Sequence, residues 1–345
     1  WFAAGRGSQQ LVVSRPTHDF DCTRPEFLEM ITAYFGLESP AVRPYAVQGL
    51  HIPCSKTAGA GRLCDAYGLE LGLATLPGGT HTACHDACGG ELFRILAESG
   101  IQVDLQPSHI FSTAMPAWLL GRNFGRPPAI IPDAAIPISL PAVARRGERM
   151  GPSLPTRVLL FDVKAVHGGG ALYFTPRARD DQSGAVEQRA WEVDGEYRTH
   201  ARQIDRQHSP AGTTPVLDRL QSYGRVRGLA FGHYAEWSTD VDLLLDAAAT
   251  ARAQRDWRAR GARSMQEARA VFIALYRRRL GCFVAREMAR HRLRRLPFVG
   301  ATRAQVRARG RRGDAQLGAG ADGGGVRAEA LLCLCLRRRP VNGGV

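Results

Sequence analysis

Val158-Leu159-Leu160-Phe161-Asp162-Val163-Lys164 is the stretch that decides how this chain folds. Four apolar residues in succession, with no polar alternation, suit a central strand buried on both faces. The run ends in charge. Asp162 and Lys164 stand at i and i+2, so their side chains leave the same face of that strand. A charged pair closing the most hydrophobic strand is costly unless it is paired or binds something. Spacing alone also admits a plainer reading, in which the strand emerges into solvent and Lys164 is ordinary surface charge. Lys164 is one of only two lysines among 46 basic residues, the other being Lys56. A compact point charge whose proton can be tuned therefore stands where the chain otherwise uses arginine.

Twenty-nine positions earlier, Pro132-Asp133 follows the apolar entry Ala129-Ile130-Ile131 in an extended, Pro-punctuated segment over 126–140. Two carboxylates brought together at adjacent strand ends can hold Mg2+ (or Mn2+) through hard oxygen ligands, with the Val163 carbonyl as a third. Such a cation activates water and stabilises charge on a scissile phosphate. Lys164 at the edge of that site would position the water or offset the developing charge. Asp133 and Asp162 are therefore expected on neighbouring strands of one sheet.

The elements around this core follow from periodicity and punctuation. Pro25 opens a helix through Tyr34, ended by Gly36, and Glu91–Glu98 reads as a helix stopped by Gly100. Ile101–Leu105 alternates as a short strand. From Gly184 to Gln207, Val186, Ala190, Trp191, Val193, Tyr197, Ala201 and Ile204 recur at steps of three and four, which predicts an amphipathic helix with both aromatics in the core. Val226–Phe231 is a further strand, and Ser238-Thr239-Asp240 starts the helix Val241–Ala249. Ser264-Met-Gln-Glu267 is a capping box opening the last helix. The expectation is an α/β fold with one mixed sheet flanked by helices. It divides into an irregular region over 1–80 with scattered Cys and His, a main domain over 81–300, and an Arg/Gly-rich disordered tail over 301–345.

The 345 residues carry a formal net charge of +14, with 44% hydrophobic and 23% charged residues. Those values exclude a wholly disordered or collagen-like chain. No apolar run approaches transmembrane length, so no membrane partner is expected. The charge is uneven, because residues 250–345 hold net +17 and residues 1–249 net −3. A basic C-terminal region is the footprint of phosphate binding, with Arg277, Arg278 and Arg279 as candidate nucleic-acid contacts; a solvated basic face is the plain alternative. Arg177 and Gln182, in the loop behind the active strand, are candidates for the same role.

The chain begins at Trp1, no secretory signal opens it, and its eight cysteines follow no framework spacing. The expectation is an intracellular protein, nuclear if eukaryotic and not secreted, and a fragment of a longer polyprotein. Cys54, Cys64, His81 and Cys84 are candidate Zn2+ ligands, although no CxxC doublet supports them and buried thiols explain them equally. Gly168-Gly169-Gly170 lacks the Gly-Lys-Ser/Thr of a phosphate loop, and no nucleophile elbow is present.

At Glu91-Leu-Phe-Arg-Ile-Leu96, Ile130-Ile-Pro-Asp133, Leu159-Leu-Phe-Asp-Val-Lys164 and the helix from Gly184, the chain resembles the PD-(D/E)XK, or restriction-endonuclease-like, superfamily. Cys84-His85-Asp86 makes it similar, more narrowly, to nuclease-like domains of retroelement reverse-transcriptase polyproteins. The resemblance spans about residues 81–300. It implies a restriction-endonuclease-like sheet and metal-dependent hydrolysis of DNA phosphodiester bonds. Asp133 and Asp162 would be ligands, Lys164 the catalytic lysine, and Glu91 the helix glutamate that can complete the metal site. The alternative is a catalytically degenerate domain that only binds nucleic acid through its Arg-rich region.

Overall fold

The apolar strand runs from Arg157 to Val166 at the heart of a four-stranded sheet. The computed structural model describes residues 22–53, 61–77, 79–115, 130–138, 157–175, 183–302 and 304–306. The elements, in chain order, begin with α1 (Arg24–Tyr34), α2 (Arg43–Val47), β1 (His51–Ile52), β2 (Arg62–Leu63), α3 (Leu69–Leu73) and α4 (Thr80–Glu98). Next come β3 (Asp104–Leu105), β4 (Ala134–Ile138), β5 (Arg157–Val166) and α5 (Ser183–His208). The last are α6 (Pro215–Ser222), β6 (Val226–Gly232), α7 (Thr239–Asp256) and α8 (Met265–Leu293).

The sheet order is β3-β4-β5-β6, antiparallel across the first two pairs and parallel between β5 and β6. The parallel pair is joined through α5, as a crossover requires. Leu159, Phe161 and Val163 face one layer, where they meet Cys88, Leu92 and Leu96 of α4 together with α7 and α8. Leu160 and Ala135 face the other, against Val193, Tyr197 and Ala201 of α5 and Val216 and Leu220 of α6. Helices on both faces explain why β5 is apolar without alternation. The mixed α/β class follows directly.

Two glycines set how closely the layers approach. A Cβ on Gly228 of β6 would lie 2.4 Å from the Ala190 Cα of α5, so only glycine lets this helix rest on the strand backbone. A Cβ on Gly89 of α4 would meet a Val163 methyl at 2.8 Å, which seats α4 on β5.

Several expectations need correction. α4 begins at Thr80, eleven residues before Glu91, because Cys84 and Cys88 continue its buried face through text that Gly89-Gly90 makes look irregular. β3 keeps only two of the five residues expected of it. Trp191 is 64% exposed and lies outside the core, its ring 4.5 Å from the Arg225 guanidinium carbon. The stretch over 1–80 is no irregular appendage in its described part. Thr23 and Glu26 form a capping box on α1, and Glu26 and Glu29 pair with Arg290 and Arg292 of α8. Val42, Ile52, Cys64 and Leu71 share a small core with Phe298 and Val299. The tail beyond 306 lies outside the described residues.

Candidate functional site

Asp133 precedes β4 by one residue, and the register that pairs Ala134 with Phe161 brings it beside Asp162 on β5. Its Oδ2 accepts the Val163 N–H at 2.7 Å. Asp162 is 5% exposed, accepts the Tyr197 hydroxyl at 2.7 Å on Oδ1, and is ion-paired to Lys164 through Oδ2. The three residues singled out from the strand text are thus assembled at one place, with a fourth contributed by α5.

α4 supplies a fifth. His85, in its second turn, donates Nε2–H to the Val163 carbonyl at 2.8 Å and lies 3.4 Å from Asp133 Oδ2, while Nδ1 meets Asp86 at 2.8 Å. Burial disfavours its cation, but the carboxylates of Asp133 and Asp86 outweigh that and lift its pKa to about 10. Burial likewise works against ionised Asp133, yet the hydrogen bonds from His85 and the Val163 N–H hold its carboxyl below the ordinary range. Asp162 goes the other way. Burial raises it, Lys164 draws it down, Asp133 pushes it up, and the balance is upward. Tyr197 is raised by burial and by Asp162, so its proton stays on the oxygen and serves the carboxylate. Two neighbouring carboxylates with opposed shifts are an arrangement that an added cation relieves.

The donor set suits a hard divalent ion. Two carboxylates and the Val163 carbonyl converge at the meeting of β4 and β5, and all are oxygens. The carbonyl and Asp133 are both engaged by the His85 cation, so a metal would share them with, or displace, that imidazolium.

The remaining candidates are placed differently. Glu91 is 2% exposed and pairs with Arg279 and with Arg94, so it is not brought to the two aspartates. It lies six residues, about a turn and two-thirds, beyond His85 on the same helix, which turns it toward α8. Arg279 is engaged by Glu91 and Glu98, and Arg277 by Asp242 at 3.0 Å, so these two arginines are committed to carboxylates of their own fold. Arg278 is half-buried between them. Arg177, Gln182 and Cys54 lie outside the described residues.

The other thiols and His81 do not converge on a zinc site. Cys64 belongs to the small core with Val42, and burial lifts its thiol to about 11. Cys84 lies against the Met288 sulfur and the Glu287 carbonyl. His81 instead joins His167 and His291, and together they form a cluster that could hold a metal ion. Sequence reading marked His81 as a possible metal ligand but missed Tyr197, His167 and His291. Tyr197 was hidden among core aromatics, though a buried tyrosine hydroxyl always needs a partner.

No protein-family model, curated protein or solved structure matches the chain. Among the described residues no helix is long and apolar enough to cross a membrane.

Proposed function

We propose that this protein is a metal-dependent endonuclease that hydrolyses DNA phosphodiester bonds, built on a restriction-endonuclease-like core. The observation that carries the reading is the meeting of Asp133, Asp162 and Lys164 at the junction of β4 and β5. Support also comes from element order. A helix, three strands, two helices and a fourth strand parallel to the third follow one another as α4, β3, β4, β5, α5, α6 and β6. DNA as substrate rests on the resemblance to retroelement polyprotein domains.

Asp133, Asp162 and the Val163 carbonyl would hold Mg2+ or Mn2+. When bound there, the cation supplies Lewis acidity toward the scissile phosphate and an acidified water. The chain's own groups do the rest. Tyr197 fixes the Asp162 carboxylate by its hydroxyl, and the Val163 N–H fixes that of Asp133. Lys164, a quarter exposed beside Asp162, carries a point charge that can face a phosphate oxygen or orient water. His85, hydrogen-bonded to the Val163 carbonyl and close to Asp133, stands at the mouth of the same site.

The test is relaxation of supercoiled plasmid by the purified chain. Cleavage is expected with Mg2+ or Mn2+ and none with chelator. A chain that binds plasmid but leaves it supercoiled with either ion contradicts the reading.

A further inference from the structure

Away from the aspartates, three imidazoles meet in the interior. His81 belongs to the first turn of α4, His167 follows the last residue of β5, and His291 lies in the last turn of α8. They are 86 and 124 positions apart in sequence. Their candidate ligand nitrogens all lie within 4.8 Å of one another, and His81 Nδ1 is 2.9 Å from His167 Nε2. Ring centroids are 4.7 Å apart for His81 and His167, 4.8 Å for His81 and His291, and 4.1 Å for His167 and His291. A neutral imidazole carries one lone-pair nitrogen, the atom that binds a metal. His167 Nδ1 is buried without a hydrogen-bond partner. A neutral polar nitrogen left so costs free energy that a ligand would recover.

The same cluster already contains a cation. Arg295 is fully buried, and no acidic side chain among the described residues pairs with it. Its Nη1 donates to His81 Nε2 and to His291 Nε2, each at 2.8 Å, and reaches the Thr80 hydroxyl at 3.4 Å. Nη2 donates to the Ala74 carbonyl, and Nε has no partner. A buried guanidinium normally sits on carboxylate. Here its acceptors are imidazoles, groups that suit a metal equally.

We propose that His81, His167 and His291 form a binding site for a borderline divalent cation of the Zn2+ type, with Arg295 occupying its place in the metal-free chain. Three nitrogens and no carboxylate select Zn2+, Co2+ or Ni2+ over Mg2+ and Mn2+. Metal uptake withdraws Nη1 from His81 and His291, while Nη2 can keep the Ala74 carbonyl. The bound ion ties the start of α4 to the end of β5 and the end of α8. His85 lies one turn beyond His81, and Lys164 three residues before His167, so this staple would brace the two elements that carry the nuclease site. The inference stands independently of that reading, because no nuclease residue is a ligand.

The experiment uses the whole chain, stripped with chelator and titrated with Zn2+ against a chromogenic competitor and separately with Co2+. One Zn2+ per chain is expected, with a rise in thermal midpoint that equal Mg2+ does not produce. Bound Co2+ should show visible d–d absorption without a thiolate-to-cobalt charge-transfer band. His167→Ala should weaken Zn2+ by more than about tenfold. Arg295→Gln, which keeps all three imidazoles and removes the competing charge, should bind Zn2+ more tightly. Absence of uptake by the unsubstituted chain overturns the proposal. So does a thiolate charge-transfer band, which would move the metal to cysteines, or an unchanged affinity in folded His167→Ala. Both decisive readouts on the unsubstituted chain stand even where a variant fails to fold.

Discussion

Lys164 separates charge from chemistry at the proposed centre. Its ammonium pairs with Asp162 on one side and is a quarter exposed on the other, so it can face a bound phosphate. Lys164→Ala is expected to lower plasmid nicking by roughly 10²–10³, as for loss of one preorganised electrostatic contact. DNA affinity in a gel-shift titration should hold, since most of it resides in many arginines. Lys164→Arg should not restore the rate, because a planar, permanently charged fork cannot occupy the same point or trade a proton. Full activity in Lys164→Arg would mean that charge alone matters there. At this scale the sequence was legible where chemistry is concentrated in few letters. Asp162-Val163-Lys164 stood out because charge closes an apolar run. His167 and His291, the partners of His81, did not, because nothing local in their text marks residues that only the fold brings together.

Among the elements, α5 is the one whose position the site depends on. Its Tyr197 holds Asp162, and it can do so because Gly228 lets the helix lie on β6. Gly228→Ala would set a methyl 2.4 Å from the Ala190 Cα, a backbone atom that no rotamer change relieves. The cost is expected to be about 1–3 kcal/mol or more in urea denaturation. Nicking should fall with it, because Tyr197 is displaced from Asp162. Wild-type stability in Gly228→Ala would show that α5 does not need this close approach. The stripe on α5 was readable from steps of three and four, but Trp191 shows the limit of that reading. Periodicity gives an apolar side, while the sheet beneath covers only part of it, and Trp191 falls beyond the covered part. α4 was half-hidden for another reason. Gly89 and Gly90 read as helix breakers, yet Gly89 is where the helix must touch Val163.

Over the whole molecule, the uneven charge does not map simply onto a binding face. The basic stretch that begins at residue 250 contains α8, and much of α8's positive charge is met by acids from elsewhere. Arg269 pairs with Asp246, Arg277 with Asp242, Arg279 with Glu91 and Glu98, and Arg290 with Glu26. These pairs hold α8 against α1, α4 and α7. Composition could count the arginines but not their partners, which come from helices up to 264 positions away. Arg279→Ala strips one partner from buried Glu91, leaving Arg94 as the other. It should cost about 1–3 kcal/mol of stability in urea. The slope of DNA affinity against salt should stay as it was, because a phosphate contact is not what is lost. A flattened slope with unchanged stability would return Arg279 to the binding face.

The central claim is that Asp133 and Asp162 form one hard-cation site. The most direct measurement is Mn2+ binding to the whole chain, counted by electron paramagnetic resonance of the free ion, in the unsubstituted protein and in Asp162→Asn. The substitution is nearly isosteric but replaces a carboxylate by a poor ligand, so the fold is retained while the site is lost. The account predicts one bound Mn2+ per chain, displaced by Mg2+, and its loss in Asp162→Asn. Equal Mn2+ binding by both proteins, or none by the unsubstituted chain, would contradict it.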